Sequence, residues 1–90
     1  MKLIMAIIQD HVVQDILLEL SNNDVRATRL ASTGGFFKKG NTTILVGAED
    51  EKVEEIKEMI LNISKSKDPV DEKTANTVMF VLNMDKLIRV

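Results

Sequence analysis

Residues 26–48 read RATRLASTGGFFKKGNTTILVGA, and this stretch decides the reading of the whole chain. Two runs of strand-forming residues flank a short segment that holds Gly34, Gly35 and Gly40. The same segment carries Phe36 and Phe37, two of the 3 aromatic residues in the protein, beside Lys38 and Lys39. Glycine backbone, flat rings and cations are the groups that hold a phosphate and stack a base. The stretch therefore points to recognition of a small nucleotide.

Working outward, Leu3–Ile8 (LIMAII) is an unbroken apolar run between Lys2 and Gln9-Asp10, which suits a strand buried on both faces. Asp10 is expected to cap the helix that follows. Val13, Ile16, Leu17 and Leu20 recur at helical spacing up to the polar run Ser21-Asn22-Asn23-Asp24. Val25–Ser32 reads as a second strand, with Arg26, Thr28 and Leu30 on one face. Asn41–Ala48 is a third, rich in β-branched residues. Glu49, Asp50 and Glu51 then place acids at a helix start, where they complement the helix dipole. Val53, Ile56, Ile60 and Ile63 form the stripe of that second helix. Ser64–Asn76 is a polar connection holding the single proline, Pro69. Thr77–Met84 is a further apolar strand, and Leu87–Val90 is expected to add a short one.

The order β-α-β-β-α-β defines an α+β fold of the ferredoxin-like kind, an antiparallel sheet with two helices on one face. Residues 1–90 form one domain. A chain of 90 residues buries only about 60–65% of its unfolded surface, so self-assembly is an available source of stability. The first and last long strands are apolar on both faces while the helices cover one. A second copy of the sheet is the simplest cover, so the pattern predicts a homo-oligomer.

Composition narrows the function. A net charge of −2 and a pI near 5.3 argue against binding nucleic-acid polymers, which calls for a basic face. There is no cysteine for a disulfide or a metal thiolate. The first apolar run is far too short for a membrane span, and the chain reads as cytoplasmic, without membrane insertion. His11 is the single histidine and reads as a surface residue, so no metal site and no nucleophilic triad is expected. Met5, Met59, Met79 and Met84 fall on apolar runs and read as core filling.

The RATRLASTGGFFKKGNTT pattern, together with IMAIIQD at the first strand and VMFVLNMDKL near the end, resembles the PII-like cyclic-di-AMP receptor family. That resemblance implies a PII-like domain assembled as a homotrimer with its sheets turned inward. It implies a small adenine nucleotide, cyclic-di-AMP, held between adjacent subunits, no catalytic activity, no further cofactor, and a relay to an unknown target protein. Carried over residue by residue, the ligand site comprises Arg26, Thr28, Gly34, Gly35, Phe36, Asn41 and Gly47. Arg26 offers a planar fork to a phosphate or base edge. Thr28 offers a hydroxyl, the glycines allow close backbone approach, Phe36 packs on a base or sugar, and Asn41 both donates and accepts.

Two departures from the family pattern stand out. Ser64–Asn76 is short and charged where relatives carry a long glycine- and proline-containing loop, and Asp24 stands where they have asparagine. These departures support an alternative: a PII-like trimeric interaction module that has lost the dinucleotide. An acylphosphatase-like enzyme, which shares the ferredoxin-like plan, requires an arginine-bearing phosphate loop after the first strand. Here Gln9-Asp10-His11 occupies that place.

Overall fold

The computed structural model describes residues 1–33, 40–67, 76–85, 88 and 90, with residues 31–33 described as backbone alone. The elements are β1 (Lys2–Gln9), α1 (Asp10–Asn22), β2 (Thr28–Thr33), β3 (Asn41–Ala48), a single 3-10 turn (Asp50–Lys52), α2 (Val53–Lys67) and β4 (Thr77–Asn83). The strands form one sheet in the order β2-β3-β1-β4, every neighbouring pair antiparallel. This is the ferredoxin-like arrangement expected from the element order. Leu87 lies outside the described residues, and Ile88 and Val90 are not in a strand.

Alternation sets the two faces of the sheet. Ile4, Ala6 and Ile8 of β1 and Ile44, Val46 and Ala48 of β3 are buried on one of them. Val12, Val13, Ile16 and Leu20 of α1 and Val53, Ile56 and Ile60 of α2 close over that face as a single core. Met59, Met79 and Ile63 pack against its margin. Burying a side chain the size of isoleucine is worth about 1.5–3 kcal/mol, so these residues carry most of the stability of so small a chain. The helices are tied to one another by the Lys67–Asp15 ion pair at 2.5 Å.

The opposite face stays open. Leu3, Met5 and Ile7 of β1 are only half-buried, and their cross-strand partners Leu82 and Phe80 are each 44% exposed. A strand flanked by covered neighbours would be shielded on both sides; here a row of large apolar side chains faces outward.

Three local expectations need correction. Asp10 is not the cap of α1. Pairing of Gln9 with Asn41 keeps Gln9 extended, so Gln9 is the capping residue and Asp10 the first residue of the helix. Arg26 is not in β2, which begins at Thr28, and a register irregularity between Arg29 and Ala31 breaks the simple alternation of that strand. The end of α1 explains the delay. Asp24 takes a left-handed conformation (φ 58°), its N–H donates to the Ser21 carbonyl at 3.1 Å, and the Val25 N–H donates to the Leu20 carbonyl at 2.8 Å. That pair of bonds is a Schellman closure, and it spends residues 23–27 on leaving the helix.

The connection from α2 to β4 is pinned at its base. The Asn76 side-chain amide donates to the Ser64 carbonyl at 2.9 Å, and the Ser64 and Thr77 hydroxyls share a hydrogen bond at 2.7 Å. Ser64 and Asn76 are both buried, so each polar group there has its partner. Among the acids before α2, Asp50 accepts from the Met1 ammonium at 3.0 Å, and this bond and its charge hold the Asp50 carboxyl below its usual value of 3.8.

Candidate functional site

The connection from α1 to β2 (residues 23–26), the end of β3 and the 3-10 turn with the first turns of α2 meet at one end of the sheet. They enclose a concavity of about 480 Å³, bordered by Asp24, Arg26, Gly47, Glu49, Lys52 and Glu55 among others. Arg26 stands on its rim and also borders a neighbouring depression of about 490 Å³ with Leu17 and Ser21. Its side chain is exposed and, among the described residues, makes no ion pair. Lys52, by contrast, is engaged with Glu55 at 3.5 Å. An exposed guanidinium beside a concavity is placed to bind an anion or a polar base edge.

Gly47 borders the same concavity. It sits inside β3 and its φ is ordinary. A Cβ added there would meet only the methyl groups of Met84 at 3.8 Å and Met1 at 3.9 Å, which is normal contact. Glycine inside a strand costs roughly 0.5–1 kcal/mol relative to alanine. Among the described residues, nothing repays that cost. Thr28, exposed and paired across from Leu45, lies two positions from Gly47 along the β3 register.

Asn41 lies elsewhere. It is the first residue of β3, 1% exposed, opposite Gln9. Gly47 is six residues further along the same strand, about 20 Å at the usual rise of about 3.3 Å per residue. Gly34, Gly35 and Phe36 lie outside the described residues. The structure therefore brings Arg26, Thr28 and Gly47 together and sets Asn41 at the far end of the sheet.

Sequence reasoning missed two features. Asp24 is needed where the helix turns back, and its carboxylate borders the concavity as a consequence; the polar run Ser21–Asp24 signalled a helix end without saying which residue would be left-handed. The other is the bond from the Thr42 hydroxyl to Asp10 at 2.9 Å, which no local motif announces because the residues are 32 apart in sequence. Among the described residues, no cluster of histidine, aspartate and glutamate is arranged to hold a metal ion, and no helix is long and apolar enough to cross a membrane.

The family model for the cyclic-di-AMP receptor matches residues 1–76, and the chain belongs to that family. Among solved structures, a functionally unknown protein from Pediococcus pentosaceus ATCC 25745 is similar over nearly its whole length. It is 31% identical with a TM-score of 0.79, and the alignment covers 99% of this chain and 96% of that one. The family match ends as β4 is about to begin, while the structural match carries through it.

Proposed function

We propose that this chain is a cytoplasmic, PII-like signalling receptor that binds cyclic-di-AMP between copies of itself in a homotrimer and passes the bound state to a target protein. The observation that carries this reading is the separation of Arg26, Thr28 and Gly47 from Asn41 by the length of β3. The two sets are too far apart to grip the same part of a small ligand within one chain. A neighbouring copy that brings its Asn41 end against the Arg26 end makes one site from both. The outward row of Leu3, Met5, Ile7, Phe80 and Leu82 supplies the apolar surface such an assembly needs.

The same separation speaks against catalysis of the acylphosphatase kind. There an arginine and an asparagine act on one phosphate, and here Arg26 and Asn41 stand at opposite ends of the sheet. The β1–α1 junction holds Gln9, Asp10 and His11 and no arginine. The reading is therefore of a receptor and not an enzyme.

Calorimetric titration with cyclic-di-AMP, and with ATP and AMP for comparison, tests it. Saturation at one ligand per chain is expected, with a stability gain of about 2.7 kcal/mol at a hundredfold excess over Kd. Silence toward all three nucleotides overturns it. One observation favours a second reading, an interaction module without a dinucleotide: Asp24, Glu49 and Glu55 outnumber Arg26 and Lys52 around the concavity. Like charge at close range opposes a phosphate. Under that reading, capture of a purified partner protein proceeds without nucleotide.

A further inference from the structure

Asp10 stands at the corner where β1 ends, α1 begins and β3 starts. Three contacts meet on it. Its N–H donates to the Gly40 carbonyl at 3.3 Å. Its Oδ1 accepts from the Thr42 hydroxyl at 2.9 Å. Its Oδ2 lies 3.0 Å from the place a Cβ on Gly40 would occupy, and Gly40 has a φ of +80°. The left-handed backbone at position 40 favours glycine, and a side chain there would press the Asp10 carboxylate aside.

Helix geometry alone does not call for this arrangement. A carboxylate in the first turn of α1 interacts favourably with the helix dipole whichever way it turns. The capping position belongs to Gln9. The bond to Thr42 instead joins the start of α1 to the second residue of β3, and Thr42 is 2% exposed, so the bond is sheltered from water on one side. Between the two anchored residues, Gly40 and Thr42, lies Asn41, the site residue of this end of the sheet. Next to it, the Gln9 N–H donates to the Asn76 carbonyl at 2.8 Å, so the base of the α2–β4 connection is held at the same corner.

We propose that Asp10 is a positioning residue for nucleotide binding. Together with Thr42 it fixes the backbone of Gly40 and the placement of Asn41 before any ligand arrives, without touching the ligand itself. Holding a binding residue in place in advance removes an ordering cost from association. The inference rests on the cyclic-di-AMP reading above.

The test is calorimetry with cyclic-di-AMP on the wild-type chain and on Asp10→Ala, Asp10→Asn, Thr42→Val and Thr42→Ser, at a temperature where circular dichroism shows each variant folded. Asp10→Ala and Thr42→Val are each expected to weaken binding about tenfold, and the double variant to lose less than the product of the two, because both act on one shared bond. Thr42→Ser keeps the hydroxyl and Asp10→Asn keeps a carbonyl acceptor, so both are expected to bind within about threefold of wild type. Amide hydrogen exchange without ligand is expected to quicken at Gly40 and Asn41 in Asp10→Ala and to return to the wild-type rate in Asp10→Asn. Lower thermal stability of Asp10→Ala with unchanged affinity overturns the proposal and leaves the receptor reading intact. A wild-type chain silent toward cyclic-di-AMP removes both.

Discussion

The two ends of the sheet are built on opposite principles. At the end where Asn41, Thr42 and Asn76 lie, polar groups are buried and tied to the backbone or to each other, and glycine at position 40 is favoured by its left-handed backbone. At the other end, Arg26 and Thr28 are exposed, and a Cβ on Gly47 would make only ordinary contact with Met84 and Met1. Among the described residues, one end is tied internally and the other is exposed. Satisfied groups hold position, and exposed groups around a concavity are the first place to test for a ligand.

The largest expected effect comes from the core that both ends share. Ile44 is fully buried midway along β3. Ile44→Ala should cost about 2–5 kcal/mol in denaturant unfolding, enough to unfold much of a chain of this size and disable both ends together. If Ile44→Ala unfolds only one end, the two are less coupled than a shared core implies.

A smaller effect should separate the ends. Arg26→Ala is expected to change folding stability by no more than about 0.5 kcal/mol, as for other exposed sites. It should nevertheless weaken cyclic-di-AMP binding by about tenfold or more, the loss expected when a charged hydrogen-bonding partner is removed. Equal binding by Arg26→Ala in calorimetry would take the exposed end out of the site.

Gly47→Ala sharpens the contrast further. The space around it predicts unchanged or slightly raised stability, by up to about 0.5–1 kcal/mol, while ligand affinity falls. A stability loss on thermal unfolding would mean that glycine is required within the chain after all. Asp24→Gly relieves a left-handed aspartate and is expected to raise stability by roughly 0.5–1 kcal/mol, and by removing a carboxylate from the concavity it should strengthen anion binding.

The smallest effect is at Asp50. Its carboxyl is held low by the Met1 ammonium, so the pair stabilises the fold above the unfolded value of 3.8, and that contribution is lost as pH falls through the lower folded value. Asp50→Asn should therefore differ from wild type only slightly at neutral pH and not at all well below the folded value. A growing difference on acidification would reverse the assignment.

Much of this was legible in the residues. The apolar run Leu3–Ile8, the two helical stripes and the β-branched run Asn41–Ala48 announce their elements by period alone, and their order specifies the sheet. The open face was visible too, because β1 and β4 are apolar at every other position on both sides. Local geometry was less so. Whether Asp10 caps α1 or begins it depends on how far Gln9 stays paired with Asn41, a partner 32 residues away. The position of Arg26 depends on how many residues the left-handed turn at Asp24 consumes. Of the candidate site residues, Gly34, Gly35 and Phe36 lie outside the described residues, and the concavity that joins Arg26 to Gly47 depends on how α2 packs beside β3, which no local pattern announces.

A complementation test asks whether one ligand site is assembled from two copies, Arg26 of one and Asn41 of the next. Arg26→Ala and Asn41→Ser, each checked for folding, should separately lose cyclic-di-AMP binding. Unfolded together and refolded at equal concentration, they should recover about a quarter of the wild-type sites by calorimetry, because a head-to-tail ring then contains interfaces with both residues intact. Recovery to that level is the predicted result. Two separately inactive variants that stay inactive when co-assembled would place both residues in the same copy and contradict the account.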